Sequence, residues 1–464
     1  MSIPQTANVL AGLWRTAEQD YTALQHVALT GAEPVLPSSF AVGTAAQASI
    51  AASALAAGEL WRLRTGRRQS VAVDMRAAAI EFRSERYLRV DGKVPEEYHD
   101  SIAGLYCCGD GRWVRLHTNL PHHCAGLLEL LGCEHDRGAV QRTLGGWKAE
   151  ELEAAAAAAG LVVTACRSFA EWDAHPQGQA VATLPPFSIE RIGDAAPKPL
   201  PAAERPLSGI KVLDLTRIIA GPVCGRTLAA HGADVLLVTA SHLPSMRPLV
   251  IDTGRGKLST AIDLREAHGR DALAALVRDA DIFVQGYRPG AITGFGFGPE
   301  DVVKLRPGII YVSLCAYGHA GPWAARRGFD SLVQTASGFN AAEAEAFGQS
   351  KPRELPAQEL DHATGYLLAF ATMTALKRRA ERGGSWHVRC SLAQTGFWLR
   401  SLGRIGGTQC LDPRSADVRD LLEETSSGFG PLTAVRHTAA MSETPPRWAR
   451  PSVPLGTHPP AWPD

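Results

Sequence analysis

Apolar and polar positions fall into distinct regimes along the chain. From Ala48 to Ala57 nearly every position is small and apolar, and a basic stretch, GELWRLRTGRRQ, leads from there into the alternating SVAVDM. An unbroken apolar run predicts a helix buried on all sides, and alternation predicts a short strand. GYLLAFATMTALKRRAERGG followed by SWHVRCSL repeats that order, with Lys377, Arg378 and Arg379 in the last helical turn and a Gly383-Gly384 break beyond it. Val73 aligns with Val388 and Ser70 with Ser385, and each copy continues into a second helical stretch, AAAIEFRSERYL or AQTGFWLRSL. The chain therefore carries two copies of one helix–turn–strand–helix unit.

Between the copies lie two different regions. Residues from about 100 to about 185 hold a strand candidate, DGRWVRLHTN, and amphipathic helical pieces around HHCAGLLELLG and KAEELEAAAAAAG, which predict a small mixed α/β domain. DAAPKPLPAAERPLSG is a Pro-rich linker. From Ile210 strands and helices alternate through IKVLDL, ADVLLVT, STAIDL, DIFVQGY and IIYVSL, the pattern of a Rossmann-like, doubly wound parallel sheet in an α/β protein. The division expected is a small-domain half at 1–195, a linker at 196–207, the Rossmann-like half at 208–405 and an irregular Pro-rich tail at 406–464. Ligands on such sheets bind beyond the carboxyl ends of the strands, so the loops of interest are TRIIAGP, the segment around Lys257, QGYRPG and CAYGHAGP.

Composition narrows the function classes. With 47 basic and 47 acidic residues in 464 the formal net charge is zero, which argues against a nucleic acid or an anionic membrane as partner. No apolar run reaches the length of a membrane span, and the start lacks a secretory pattern, so a cytoplasmic location is expected. Nine cysteines without CxxC spacing suggest neither a disulfide framework nor a zinc site. His122-His123 and Cys107-Cys108 are read as structural. GxGxxG after a strand, GxxxxGK[ST] and GxSxG are all absent, which sets dinucleotide oxidoreduction aside. Arg217, Arg255, Lys257 and Arg288, with Tyr287 beside the last, read either as a grip on a phosphorylated ligand or as ordinary surface charge. Asp361 opens an apolar helix and reads as an N-cap or as a reacting carboxylate. The first copy has alanine at the aligned place, Ala45 or Ala46, so the unit forms without that carboxylate.

PLSGIKVLDLTRIIAGPVCGRTLAAHGADVLLV, GRGKLSTAIDL, DIFVQGYRPGAITGFGF, IIYVSLCAYGHAGPWAARRGFDSLVQTASG and ELDHATGYLLAFATMTAL, in this order, resemble the large domain of the family III CoA-transferases, the carnitine CoA-transferase, formyl-CoA transferase and α-methylacyl-CoA racemase family. GRRQSVAVDM, DGRWVRLHTNLPHHCAGLLELLG and FAEWDAHPQGQAV resemble the rest of that family, so the chain reads as a member with its halves rearranged, the small-domain half first. The resemblance implies a CoA-transferase acting on an acyl-CoA and a carboxylic acid, with Asp361 as the covalent nucleophile. It also implies that CoA is bound by Arg217, Ala220, Gly221, Pro222, Lys257, Tyr287, Arg288 and Gly290, without a metal or redox cofactor. An interlocked homodimer, or pairing with a related subunit, is implied as well. Leu237 and Thr239 replace the family's Lys and Glu, and Gly286 replaces the Asn of its NFRPG turn. The racemase branch has His where this chain has Phe329, which disfavours two-base racemisation. Racemisation, an intramolecular CoA shift and a CoA-binding partner subunit are the alternative readings.

Overall fold

The apolar runs of the second half form six strands of a seven-stranded sheet in the computed structural model, which describes residues 5–96 and 100–463. Its strands, in spatial order, are Lys257–Ala261, Asp234–Thr239, Lys211–Leu215, Ile282–Gln285, Ile310–Cys315, Ser385–Ser391 and Phe187–Gly193. All neighbours are parallel except the last pair. The central strands Ile282–Gln285 and Ile310–Cys315 are buried at every position, as expected where helices cover both faces. Strand order reverses between Lys211–Leu215 and Ile282–Gln285, and the loops leaving these two strands diverge to open a crevice.

The two predicted apolar helices are Val42–Thr65 and Glu359–Arg382, each of 24 residues. Their N-cap residues share an uncommon backbone conformation, φ −78° and ψ 60° at Ala41, φ −79° and ψ 65° at Gln358, and both end at a glycine of positive φ, Gly66 and Gly383. Counted from these starts, the residue equivalent to Asp361 is Thr44, rather than Ala45 or Ala46, because the stretch from the end of the long helix to the aligned valine of the following strand, Val73 or Val388, is two residues longer in the first copy than in the second. The helices pack against each other and share one hydrophobic core with the Ala220–Ala230 helix that follows the first strand. Gly365 permits that packing: a Cβ there would lie 2.6 Å from the Ala220 carbonyl oxygen and 2.7 Å from Val223 Cβ. Despite their length, no described helix is long and apolar enough to cross a membrane.

The small domain has its own core, with Tyr106, Val114, Leu127, Val140 and Leu152 fully buried between a three-stranded antiparallel sheet and three helices. Two expectations are corrected. The tail after 406 is not wholly irregular: it forms a 3₁₀ turn, Ser415–Leu421, and the strands Leu422–Thr425, Leu432–Val435 and Ala440–Met441. Leu432–Val435 and Ala440–Met441 pair with Arg89–Val90 and Val71–Asp74 in the first half, whose edge N–H and C=O groups need partners that a Pro- and Ser-rich composition does not advertise. The division at 195 and 208 likewise does not separate two cores, since Phe187–Gly193 extends the second half's sheet. The linker between them is fastened: Arg64, at the end of the first long helix, donates to the carbonyls of Pro201, Pro206 and Ser208 at 2.6, 2.8 and 2.7 Å.

Gly365→Ala is expected to cost about 1–3 kcal/mol in denaturant unfolding, because a backbone oxygen cannot yield as a flexible side chain would. Gly294→Ala, where a Cβ meets nothing within 4 Å, should stay within about 0.5 kcal/mol of the parent.

Candidate functional site

A cavity of about 530 Å³ opens at the crevice, and both halves of the chain build its walls. The loop after Lys211–Leu215 is held from below by Asp214, which accepts from the Thr216 N–H at 3.1 Å and from Lys257 Nζ at 2.7 Å. Gly221 and Gly225 make that support possible. Their Cβ atoms would fall 2.4 Å from Thr216 Cβ and 2.3 Å from Asp214 Oδ2. The same loop holds Ile218, a β-branched residue, at φ 75°, a strained backbone facing the cavity.

The predicted residues separate into two groups. Arg217, Ala220, Tyr287, Arg288 and Asp361 all line the cavity, as does Gly286. Pro222 lines a small adjoining recess with Leu237 and Thr239; Gly290, at φ 85°, belongs to the turn after Pro289. Lys257 stands apart, its buried ammonium donating to Asp214 and to the Pro222 carbonyl at 2.8 Å. Its place is beneath the loop, not on the cavity surface. Arg255 is buried as well, paired with Asp252 at 2.8 Å.

Asp361 is the third residue of the Glu359–Arg382 helix, and the N-cap, Gln358, makes no side-chain cap. The carboxyl that serves the helix start is that of Asp330, whose Oδ2 accepts the Asp361 N–H at 2.9 Å while Gln334 donates to its other oxygen. The Asp361 side chain is thus not used as a cap, and no hydrogen bond from the described residues occupies its oxygens. Burial first, and then the nearby charges of Asp330 and Glu85, push its pKa well above the usual carboxylate range. Burial also raises Asp330 to about 7 and Glu359 well above its ordinary value. Glu85, from the first half, contacts His362 at 3.2 Å.

Several wall residues escaped sequence reasoning. His122, His123 and Leu120 come from the small domain, where Pro121 at the first helical position turns the start of Pro121–Leu131 onto the cavity. The HH pair was legible; its destination was not, because the small domain's docking is a tertiary matter. Burial pushes His123 down to about 3, and burial together with Arg327 and Arg217 lowers His122. Arg327 and Phe329 line the cavity too, and the Phe329 ring stacks on His117 at 4.1 Å. Away from the cavity, Asp100, Cys124 and His135 bring donor atoms within 4.8 Å of one another, in a spacing that resembles no metal motif. Asp100 is engaged there by the Ile102 N–H at 2.9 Å and by His135 Nε2 at 3.1 Å.

The family model of CoA-transferase family III matches residues 14–191 and 207–402. The chain is 39% identical over 205 residues to the acetyl-coenzyme A transferase nodX of Hypoxylon pulicicidum, covering 43% of this chain and 35% of that protein. It is 32% identical over 200 residues to the succinyl-CoA:glutarate CoA-transferase of Mus musculus, covering 40% and 45%. Among solved structures, a crystal structure of Rv3272 from Mycobacterium tuberculosis aligns with a TM-score of 0.39 at 31% identity, covering 42% of this chain and 58% of that one. The chain spans from about a third to about half of the length of the curated relatives it matches.

Asp330, raised to about 7, should make stability fall as the pH rises from about 4 through about 7, since the folded state keeps a proton that the unfolded chain has released, and Asp361 and Glu359 act in the same direction. Asp330→Asn and Asp361→Asn should each flatten that fall by on the order of 1–2 kcal/mol between about pH 5 and about pH 8. Melting temperatures compared with the parent across pH read this directly. Buried neutral histidines such as His123 and His387, both held down to about 3, act in the opposite sense below about pH 6.5 in parent and variants alike.

Proposed function

Because the chain belongs to CoA-transferase family III, we propose that it moves CoA between an acyl-CoA thioester and a free carboxylic acid, with Asp361 as the nucleophile. The observation that carries this reading is the Asp361 carboxylate itself: exposed to the cavity, free of hydrogen bonds from the described residues, and desolvated, with Arg217 and Arg288 in the same walls to attract an anionic ligand. A desolvated carboxylate is more basic and so more nucleophilic once ionised.

An Asp361 oxygen attacks the thioester carbonyl carbon, the C–S bond breaks and CoA leaves as thiolate, giving a mixed anhydride. The thiolate then attacks the aspartyl carbonyl carbon and expels the donor acid as carboxylate, leaving an aspartyl-CoA thioester. The acceptor carboxylate attacks that thioester and releases the thiolate. The thiolate finally attacks the acceptor's acyl carbon in the new anhydride and frees Asp361. Each step exchanges one leaving group for another, so the cycle closes without net proton transfer. Relatives named as acting on succinyl-CoA and glutarate fit this scheme. Racemisation is the weaker reading, since Phe329 has no proton to exchange where the racemase branch has histidine. Leu120, His122 and His123 come from the first half and Asp361 from the second, so one chain furnishes both walls of the site.

Incubation with acyl-CoAs and hydroxylamine should yield an adduct or hydroxamate on Asp361 by intact-protein and peptide mass spectrometry. Asp361→Ala should lose it together with at least about 10³-fold of the transfer rate. Labelling elsewhere, or transfer that survives in the variant, overturns the assignment. The rate should rise with pH as Asp361 ionises, and Asp330→Asn should move that rise to lower pH by removing a neighbouring negative charge.

A further inference from the structure

The loop from strand Ile310–Cys315 to helix Asp330–Ala336 has no helix or strand of its own over 316–329, yet Ala316, Arg326, Arg327, Gly328 and Phe329 from it all line the cavity. A stretch of that length keeps a wall in place only if its buried backbone groups find partners elsewhere. Three of them find one side chain of the first half. Gln177, 0% exposed, stands in the short helix Pro176–Ala182; its Nε2 donates to the carbonyls of Tyr317 and Ala320, both at 2.8 Å, and its Oε1 accepts the N–H of Trp323 at 2.6 Å. A carbonyl only accepts and an N–H only donates, so a single orientation of the amide serves all three.

The fit around that amide is close. Gly318 and Gly321, at φ 117° and 87°, let the loop lie on the helix: a Cβ would fall 2.5 Å from Val181 Cγ1 at the first, and 2.6 Å from both Ala180 Cβ and Gln177 Oε1 at the second. The helix start is fixed in turn by His175, whose Nδ1 accepts the Gln177 N–H at 3.1 Å and whose ring meets that of Trp323 at 4.4 Å. Further along, the Arg326 guanidinium lies over the Trp323 ring at 4.0 Å and donates to the Val163 carbonyl of the small domain at 2.9 Å. The first half thus grips the loop at Tyr317, Ala320 and Trp323, just ahead of the residues that face the cavity.

We infer that Gln177 is a positioning residue for the reaction: it fixes the 316–329 loop as the cavity wall against which an acyl-CoA binds, acting through Arg327, Gly328 and Phe329. The inference rests on the transferase reading. Gln177 itself does not line the cavity. Asp361 is held separately, by Asp330 and Gln334 in the helix beyond the loop, so a loosened loop weakens binding more than it weakens the chemical step. Displacement of a wall by about 1 Å is enough to cost about 10²-fold.

The test uses three variants of the full chain. Gln177→Met keeps the length of the side chain and removes its hydrogen bonds, Gln177→Glu keeps the shape but turns a carboxylate oxygen toward two carbonyls, and Gln179→Met, at an exposed position of the same helix, is the control. Amide exchange read by mass spectrometry should rise at least about tenfold over 317–328 in both Gln177 variants, ahead of the rest of the chain. The Kd of free CoA by calorimetric titration, and the KM of whichever of acetyl-CoA and succinyl-CoA is used faster, should rise at least about tenfold with kcat within about threefold of the parent. Gln179→Met should match the parent throughout. Loop exchange or a KM that stays at the parent's value in Gln177→Met overturns the positioning role while the transferase reading stands. So does a Gln177→Glu variant with the parent's KM, which mere space filling would produce, or a fall in kcat and melting temperature at constant KM. CoA binding that Gln177→Met weakens, without transfer to any acid by the parent, supports the grip on the wall and overturns the transferase reading. A parent that neither binds CoA nor transfers it overturns both.

Discussion

One hydrogen bond organises the site: the Asp330 carboxylate accepting the backbone N–H of Asp361. A helix start needs an acceptor for its free N–H groups and gains from a negative charge. Supplying both from a neighbouring element releases the side chain of Asp361 from the local task that an aspartate at a helix start ordinarily performs. The same bond brings two acidic groups together out of water, which raises the pKa of both and makes the Asp361 carboxylate a stronger base when it forms. The first copy has a corresponding arrangement without the aspartate. There Glu33 accepts the N–H of Thr44 at 2.7 Å, so the same backbone bond is made where the helix start carries threonine in place of aspartate.

The Rossmann-like order was legible because its signals are local and strong: strands such as DIFV and IIYVSL are continuous apolar runs, and the helices between them are amphipathic. Arg217 and Arg288 were legible for a related reason, since they stand in the loops at the carboxyl ends of the two strands where the order reverses, whereas Asp361 was singled out by its place at a helix start and by the resemblance. Lys257 shows the limit of that logic. It stands at the start of a strand in the right segment, yet whether its ammonium meets ligand or loop depends on Gly225 leaving room for Asp214, a packing fact without a periodicity.

The rest was hidden because it depends on contacts between distant parts of the chain. His122 and His123 have no metal-like company in sequence and take their meaning from where a separate small core docks. The tail's strands are short, of low β-propensity, and exist because edges more than 300 residues earlier await them. Glu85 belongs to a short helix in the first half, and only the packing of the two units places its charge beside Asp361.

The strap formed by Arg64 bears on how the halves find each other. The two long helices bury against each other within one hydrophobic core, so either one without the other exposes apolar surface. The two long helices are joined in sequence through one tether, the Pro-rich linker. With the tether fixed to the first half by the Pro201, Pro206 and Ser208 carbonyls, only a short span is free to search. A short span keeps the effective concentration of one half around the other high, in the millimolar range typical of short linkers. That advantage favours joining within a chain over exchange between chains, and makes the linker a determinant of partner choice as well as a boundary.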